Sequence, residues 1–185
     1  MAWIRVLNRD EANDDLRTAM ESVASSRGKL ANILAVHSLL PRTMTAHMNL
    51  YQEVMFESSG LSREEREMIA VVVSATHQCP YCVLHHGKAL NHYWNDEEKI
   101  ARFVEDPESV DLSPRMGAIL DYAIQLTERP SGTEESDVAC LREIGLSDAE
   151  ILPVNLIVSY FNFVNRIALG LGVEFTEDEL DGYRY

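Results

Sequence analysis

Cysteine is scarce in this chain: three residues in 185, unevenly placed at Cys79, Cys82 and Cys140. An odd count with one close pair makes a poor disulfide framework and suits a reducing compartment that tolerates one dithiol. Positive charge is also in short supply. Sixteen Lys plus Arg stand against thirty Asp plus Glu, a formal net charge of -14, which repels DNA, RNA and anionic membranes at long range, so no nucleic acid and no membrane is expected as a partner. No run of about eighteen consecutive apolar residues is present, and the opening MAWIRVLNRDEANDD lacks the basic start and apolar core of a signal peptide. A cytoplasmic location is the expectation. No alternating apolar run is long enough to build a sheet, and neither an internal repeat nor a low-complexity linker interrupts the chain.

What is present is helical periodicity throughout. With 46% hydrophobic residues in this length, one well-packed domain over 1–185 is expected, all-α, with about seven to nine helices. The spacing predicts helices over about 11–27, stopped by Gly28, over KLANILAVHSLL, ending near Pro41, and over 42–57. Ser62 and Glu65 have the form of a capping box, opening a helix REEREMIAVVVSATHQ whose valines require burial to be tolerated. Pro80 serves as the first residue of a helix to about Tyr93. Asn95 or Asp96 caps a short helix, EDPESVDLSP reads as an exposed crossover, and Pro114 opens a helix to about Glu128. Thr133 or Ser136 caps the next, which Gly145 stops. The last begins at Ser147, with Pro153 either tolerated early or marking a boundary. Its apolar run from Leu152 to Leu171, too interrupted by polar residues for a lipid-crossing helix, is either a central core helix or part of a subunit interface.

The segment His77 to Gly87, HQCPYCVLHHG, carries the chemistry. Two cysteines three apart at a helix start lie within reach of each other, where unpaired amides and the helix dipole favour a thiolate. His86 lies four residues after Cys82 and shares its helical face, so the imidazole can exchange a proton with the thiol; His85 is a weaker candidate on the outer face. His77 is expected to bond local backbone, and Tyr81 to line a small site or cover its rim. Zinc would need four ligands, and beyond Cys79, Cys82 and the nearby histidines there is no second CxxC, CxxH or HxxxH. Cys140, among Val138, Ala139 and Leu141, reads as a buried core cysteine. Glu67 has two readings: a solvent-side partner of Arg63, four residues earlier, or a carboxylate turned inward to orient His86.

Together Glu67, Cys79, Pro80, Tyr81, Cys82 and His86 form the string E-(11 residues)-C-P-Y-C-(3 residues)-H. It resembles the active-site signature of the alkylhydroperoxidase D-like branch of the carboxymuconolactone decarboxylase family, especially its peroxidase-related members. GKLANILAVHSLLPRTMTAHMNLYQEVMF and YFNFVNRIALGLGVE are similar to that family's flanking segments, with the CxxC core region at about 43–128. The resemblance implies an all-helical protein that assembles as trimers or hexamers, and an antioxidant peroxidase using no haem or flavin of its own. By the same resemblance Cys82 attacks a small organic hydroperoxide, Cys79 resolves the product to a redox-active disulfide, and Glu67 and His86 relay protons. An external dithiol or disulfide reductase restores the thiols. Well-studied members place a histidine immediately before the second cysteine; Tyr81 stands there instead, as a residue lining the site. The family also holds decarboxylases without the dithiol, an activity the retained cysteines argue against. Glu67 becomes an active-site acid on this reading, the helix around 155–168 an oligomer interface, and Asn165 and Arg166 residues that order part of that surface. Two other readings of the residues remain: a general thiol-disulfide oxidoreductase, and a structural or interaction protein whose CxxC binds zinc.

Overall fold

The computed structural model describes residues 2–175 and Glu179. Among them are nine α-helices, joined by loops and short 3-10 turns, and no strand. The all-α expectation holds. The chain divides into two compact units, one of residues 54–165 and one of residues up to 53 with those from 166 onward, the boundaries falling within two long helices.

In the second of these units, α1 (Asp14–Arg27) is capped by the Asn13 side chain and closed by Gly28 at φ 82°. The segment after it departs from the periodicity. Instead of one helix through Leu40, α2 (Asn32–Ala35) is a single turn that tightens into a 3-10 turn over Val36–Leu39. No side chain caps its start, and a chain this short gains little from propagation. Pro41 then occupies the first position of α3 (Pro41–Phe56).

The unit 54–165 is built around α4 (Arg63–Thr76), which packs against α5 (Pro80–Trp94), α6 (Glu97–Glu105) and α7 (Pro114–Glu128). The Ser62–Glu65 capping box is present in both directions. Ile69, Ala70, Val71, Val72 and Val73 are all buried, so α4 is enclosed on every side and its β-branched run is held by packing rather than by helix propensity. Two arginines of its first turn close the end of α3. Arg63 donates to the Met55 carbonyl at 2.7 Å, and buried Arg66 donates to Val54 and Glu57 carbonyls, the Ser59 hydroxyl and the Leu61 carbonyl. These cations satisfy carbonyls that a helix C-terminus leaves without intrahelical partners.

α8 (Glu135–Glu143) differs from expectation in two places. Its N-cap is Glu134, whose amide donates to Asp137 at 2.7 Å, so neither Thr133 nor Ser136 opens it. Cys140 is exposed, because Leu141 makes the helix's core contact and the next residue back is turned well away from it. Apolar neighbours in sequence are not neighbours on a helix face.

α9 (Asp148–Leu171) runs unbroken through Pro153. It buries Val154, Ile157, Val158, Phe161, Val164 and Asn165 on one face and exposes Leu152, Leu156 and Phe163 on another. By length and apolar content α9 could cross a bilayer, its best window having a mean hydropathy of 1.3, yet core helices of this kind meet the same measure. Asn165 is fully enclosed, against its expected place on an exposed surface: Nδ2 donates to the Phe161 carbonyl and to the Ser74 hydroxyl.

Candidate active site

The two cysteines owe their placement to the turn between α4 and α5. His77 caps the end of α4, and Gln78 follows at φ 52°, a left-handed conformation uncommon for a side chain larger than glycine. The turn is held by the Gln78 amide on the Ala75 carbonyl and the Cys79 amide on that of Ser74. His77 also reaches α9 rather than only local backbone: its Nε2 donates to Asn162 Oδ1 at 2.9 Å, while Asn162 Nδ2 donates to the Thr127 hydroxyl and the Val158 carbonyl. Cys79 is the N-cap of α5, Pro80 its first residue, and Cys82 lies in its first turn.

Both cysteines are reduced and buried, each 1% exposed. They polarise one another. A hydrogen bond from the Cys82 thiol draws Cys79 down to about 7 against the cost of burial, assisted by the amides of Cys82 and Tyr81. Cys82 moves well above the ordinary thiol range, because Cys79 accepts its proton, burial disfavours its anion, and a Cys79 thiolate repels a second charge. The pair therefore holds its first negative charge at the helix N-cap, as expected where amides point outward.

Glu67 resolves both of its readings at once. The side chain is fully buried; Oε2 lies 2.7 Å from His86 Nδ1, and Oε1 lies 2.6 Å from Arg63 Nη2. It is thus the inward carboxylate and the partner of Arg63 together. The imidazole is 14% exposed and meets the edge of Phe161 on α9, with ring centroids 4.5 Å apart and planes at 82°. Carboxylate on one side and aromatic ring on the other fix its orientation.

Tyr81 is buried and stacks at 4.4 Å on His85, whose Nδ1 donates to the Tyr81 carbonyl at 2.9 Å. His85 is therefore occupied with its own helix. Phe161, Asn162 and Arg63 were not singled out as site residues by the sequence. Only Arg63 carries a signal for it, the four-residue spacing to Glu67. Among the described residues no three His, Cys, Asp or Glu side chains converge as a metal-ligand set. A surface cavity of about 420 Å³ lined by Glu64, Trp94, Lys99 and Asp111, among others, includes neither cysteine.

Residues 41–125, which span α4, both cysteines and the Glu67–His86 pair, match the carboxymuconolactone decarboxylase family. A structure described as an alkylhydroperoxidase core, an uncharacterised peroxidase-related protein of Ralstonia eutropha JMP134, superposes with a TM-score of 0.85 at 27% identity, covering 97% of this chain and 94% of that one. Residues 41–125 thus carry the carboxymuconolactone decarboxylase family pattern, and the fold around them is alkylhydroperoxidase D-like. A second uncharacterised peroxidase-related protein, from Silicibacter sp. TM1040, gives a TM-score of 0.87 at 27% identity over 99% of this chain and 96% of the other. Human Sestrin-2 is 22% identical over 180 residues, 96% of this chain. The chain spans only 36% of that relative's length.

Proposed function

We propose that this protein is a thiol-dependent peroxidase that reduces small organic hydroperoxides through the Cys79–Cys82 dithiol. The observation that carries the reading is the 2.7 Å contact of fully buried Glu67, on α4, with His86, on the helix whose N-cap and first turn bear the cysteines. A structural dithiol has no need of a carboxylate-oriented imidazole four residues away. The arrangement of nucleophile, base and orienting acid is the one that activates a weak nucleophile.

In the proposed cycle the Glu67 carboxylate accepts a hydrogen bond from His86 Nδ1–H, leaving Nε2 to take the Cys82 proton. The Cys82 sulfur attacks the terminal peroxide oxygen; the O–O bond breaks, the sulfur is oxidised to a sulfenic acid, and the leaving alkoxide takes the proton from His86 and departs as an alcohol. Cys79, whose thiolate character is already favoured, gives its proton to His86 and attacks the Cys82 sulfur; the S–O bond breaks, the leaving hydroxide takes that proton back from His86, and water departs as the disulfide forms. An external dithiol reduces that disulfide by exchange. Tyr81, buried beside both sulfurs in sequence, lines the site. The exposed Leu152, Leu156 and Phe163 on α9 support a homo-oligomer, trimer or hexamer, and the dithiol fits a cytoplasmic, reducing setting.

A second reading draws on the lowered pKa of Cys79. A thiolate at a helix N-cap can attack protein disulfides directly, making peroxide turnover incidental. The test is consumption of a panel of hydroperoxides with several dithiol reductants. Turnover lost in both Cys79→Ser and Cys82→Ser supports the peroxidase; failure with every hydroperoxide alongside fast disulfide exchange overturns it in favour of the oxidoreductase.

A further inference from the structure

We infer that Arg63 is a positioning residue of the relay: its charge sets the proton count of the Glu67–His86 pair so that His86 Nε2 stays an open proton acceptor. This rests on the dithiol reading above and adds to it a residue outside the signature.

Glu67 is 0% exposed, and an isolated carboxylate in that position is costly to keep ionised. Arg63 meets Oε1 at 2.6 Å and is itself held in place, with Nη1 on the Met55 carbonyl at 2.7 Å and its guanidinium 3.9 Å above the Phe56 ring. Its side chain is 15% exposed, so water screens the pair little. With Arg63 present, its positive charge offsets the negative charge of an ionised Glu67, and the carboxylate can accept a hydrogen bond from His86 Nδ1–H while Nε2 keeps its lone pair. Without that cation the buried pair carries one net negative charge and is favoured to take up a proton. If the proton goes to the imidazole, Nε2 is occupied. If it goes to Glu67, the acid donates to Nδ1 and the ring's own proton moves to Nε2. Both routes remove the acceptor.

Charged or titratable groups near the pair include Glu64 and Arg66 on α4 and Tyr93 on α5. Tyr93 is raised by burial and senses Arg63, Glu67 and Glu64, which places it in the same electrostatic neighbourhood. Arg66 is committed to the carbonyls at the end of α3. From α9 the contact to His86 is the uncharged Phe161 ring. Arg63 meets the carboxylate directly, at Oε1.

The test uses Arg63→Gln, which removes the charge but keeps amide donors, and Arg63→Lys, which keeps the charge, read by two measurements. In the pH profile of sulfenic-acid formation, Arg63→Gln should move the acidic limb up by about 1–3 pH units, the effect of one close opposite charge. Arg63→Lys should restore it to within a few-fold of the parent. Nitrogen NMR of the reduced protein should show His86 as the Nδ1–H tautomer in the parent and either doubly protonated or Nε2–H in Arg63→Gln. A uniform loss of rate with no movement of the limb, or an unchanged tautomer in Arg63→Gln, overturns the inference. Should Arg63→Gln not fold, a parent protein with His86 in the Nε2–H form at neutral pH overturns it equally. Absence of peroxide turnover in the parent counts against the peroxidase reading alone, because the tautomer is read without substrate.

Discussion

His86 and Glu67 face each other from α5 and α4, with the imidazole Nδ1 2.7 Å from a carboxylate oxygen that has no contact with solvent. That geometry fixes which nitrogen of the ring can act as a base. Glu67→Gln keeps the shape and removes the acceptor's charge, so it should lower the rate of peroxide-dependent thiol oxidation by about 100-fold, the usual worth of one positioned acid–base group. Stopped-flow measurement of the single-turnover oxidation checks it, and the thiol count of the variant should be unchanged.

The Cys79 thiol is drawn down to about 7, chiefly by its hydrogen bond from Cys82. Thiolate absorbance of the reduced protein should therefore show a first transition near pH 7. In Cys82→Ala that transition should move up toward the ordinary thiol range, because the largest favourable contact is gone. The sign for stability follows from a folded pKa below the unfolded one. Cys79 adds nothing below about pH 7 and stabilises progressively from there to the unfolded thiol value. Cys82, shifted the other way, opposes this only above that value. Chemical denaturation of the reduced protein across this window measures both.

Phe161 is fully buried and packs its ring edge-on against His86. Phe161→Ala should cost about 3–5 kcal/mol of stability through the cavity it leaves. A milder Phe161→Leu should stay folded while loosening the imidazole, seen as a lower rate with little change in the pH profile. Denaturant titration and the same stopped-flow assay separate the two effects.

The fold was legible because its signals are local. Ser62 with Glu65, Pro80, Pro114 and Gly28 each act within one turn of chain, and the structure uses all four. The segment through Leu40 misled because apolar spacing alone does not show whether a short helix can pay its nucleation cost. In the site, Cys82 and His86 could be placed on one face from their spacing, but the direction of Glu67 could not. Arg63 and His86 looked like competitors for it, and a carboxylate has two oxygens. Phe161 and Asn162 carry no mark of their own, since an aromatic and an amide on an apolar helix read as packing until the partner helix is in view. Cys140 failed for the reverse reason, its sequence neighbours lying on another face.

If the dithiol were a zinc ligand pair, protein purified without added metal should carry near-stoichiometric zinc that is lost when both cysteines are replaced. The redox reading predicts metal far below one equivalent and an unchanged melting temperature after chelator treatment. Elemental analysis alongside thermal denaturation decides between them.

The central claim is that Cys82 meets the peroxide and Cys79 resolves it, although the first negative charge of the pair rests on Cys79. The direct measurement is trapping of the sulfenic acid, by mass spectrometry, in Cys79→Ser and Cys82→Ser after exposure to a small organic hydroperoxide. The account predicts a stable adduct on Cys82 in the first variant and none on Cys79 in the second. An adduct on Cys79 with Cys82 left unmodified would contradict it.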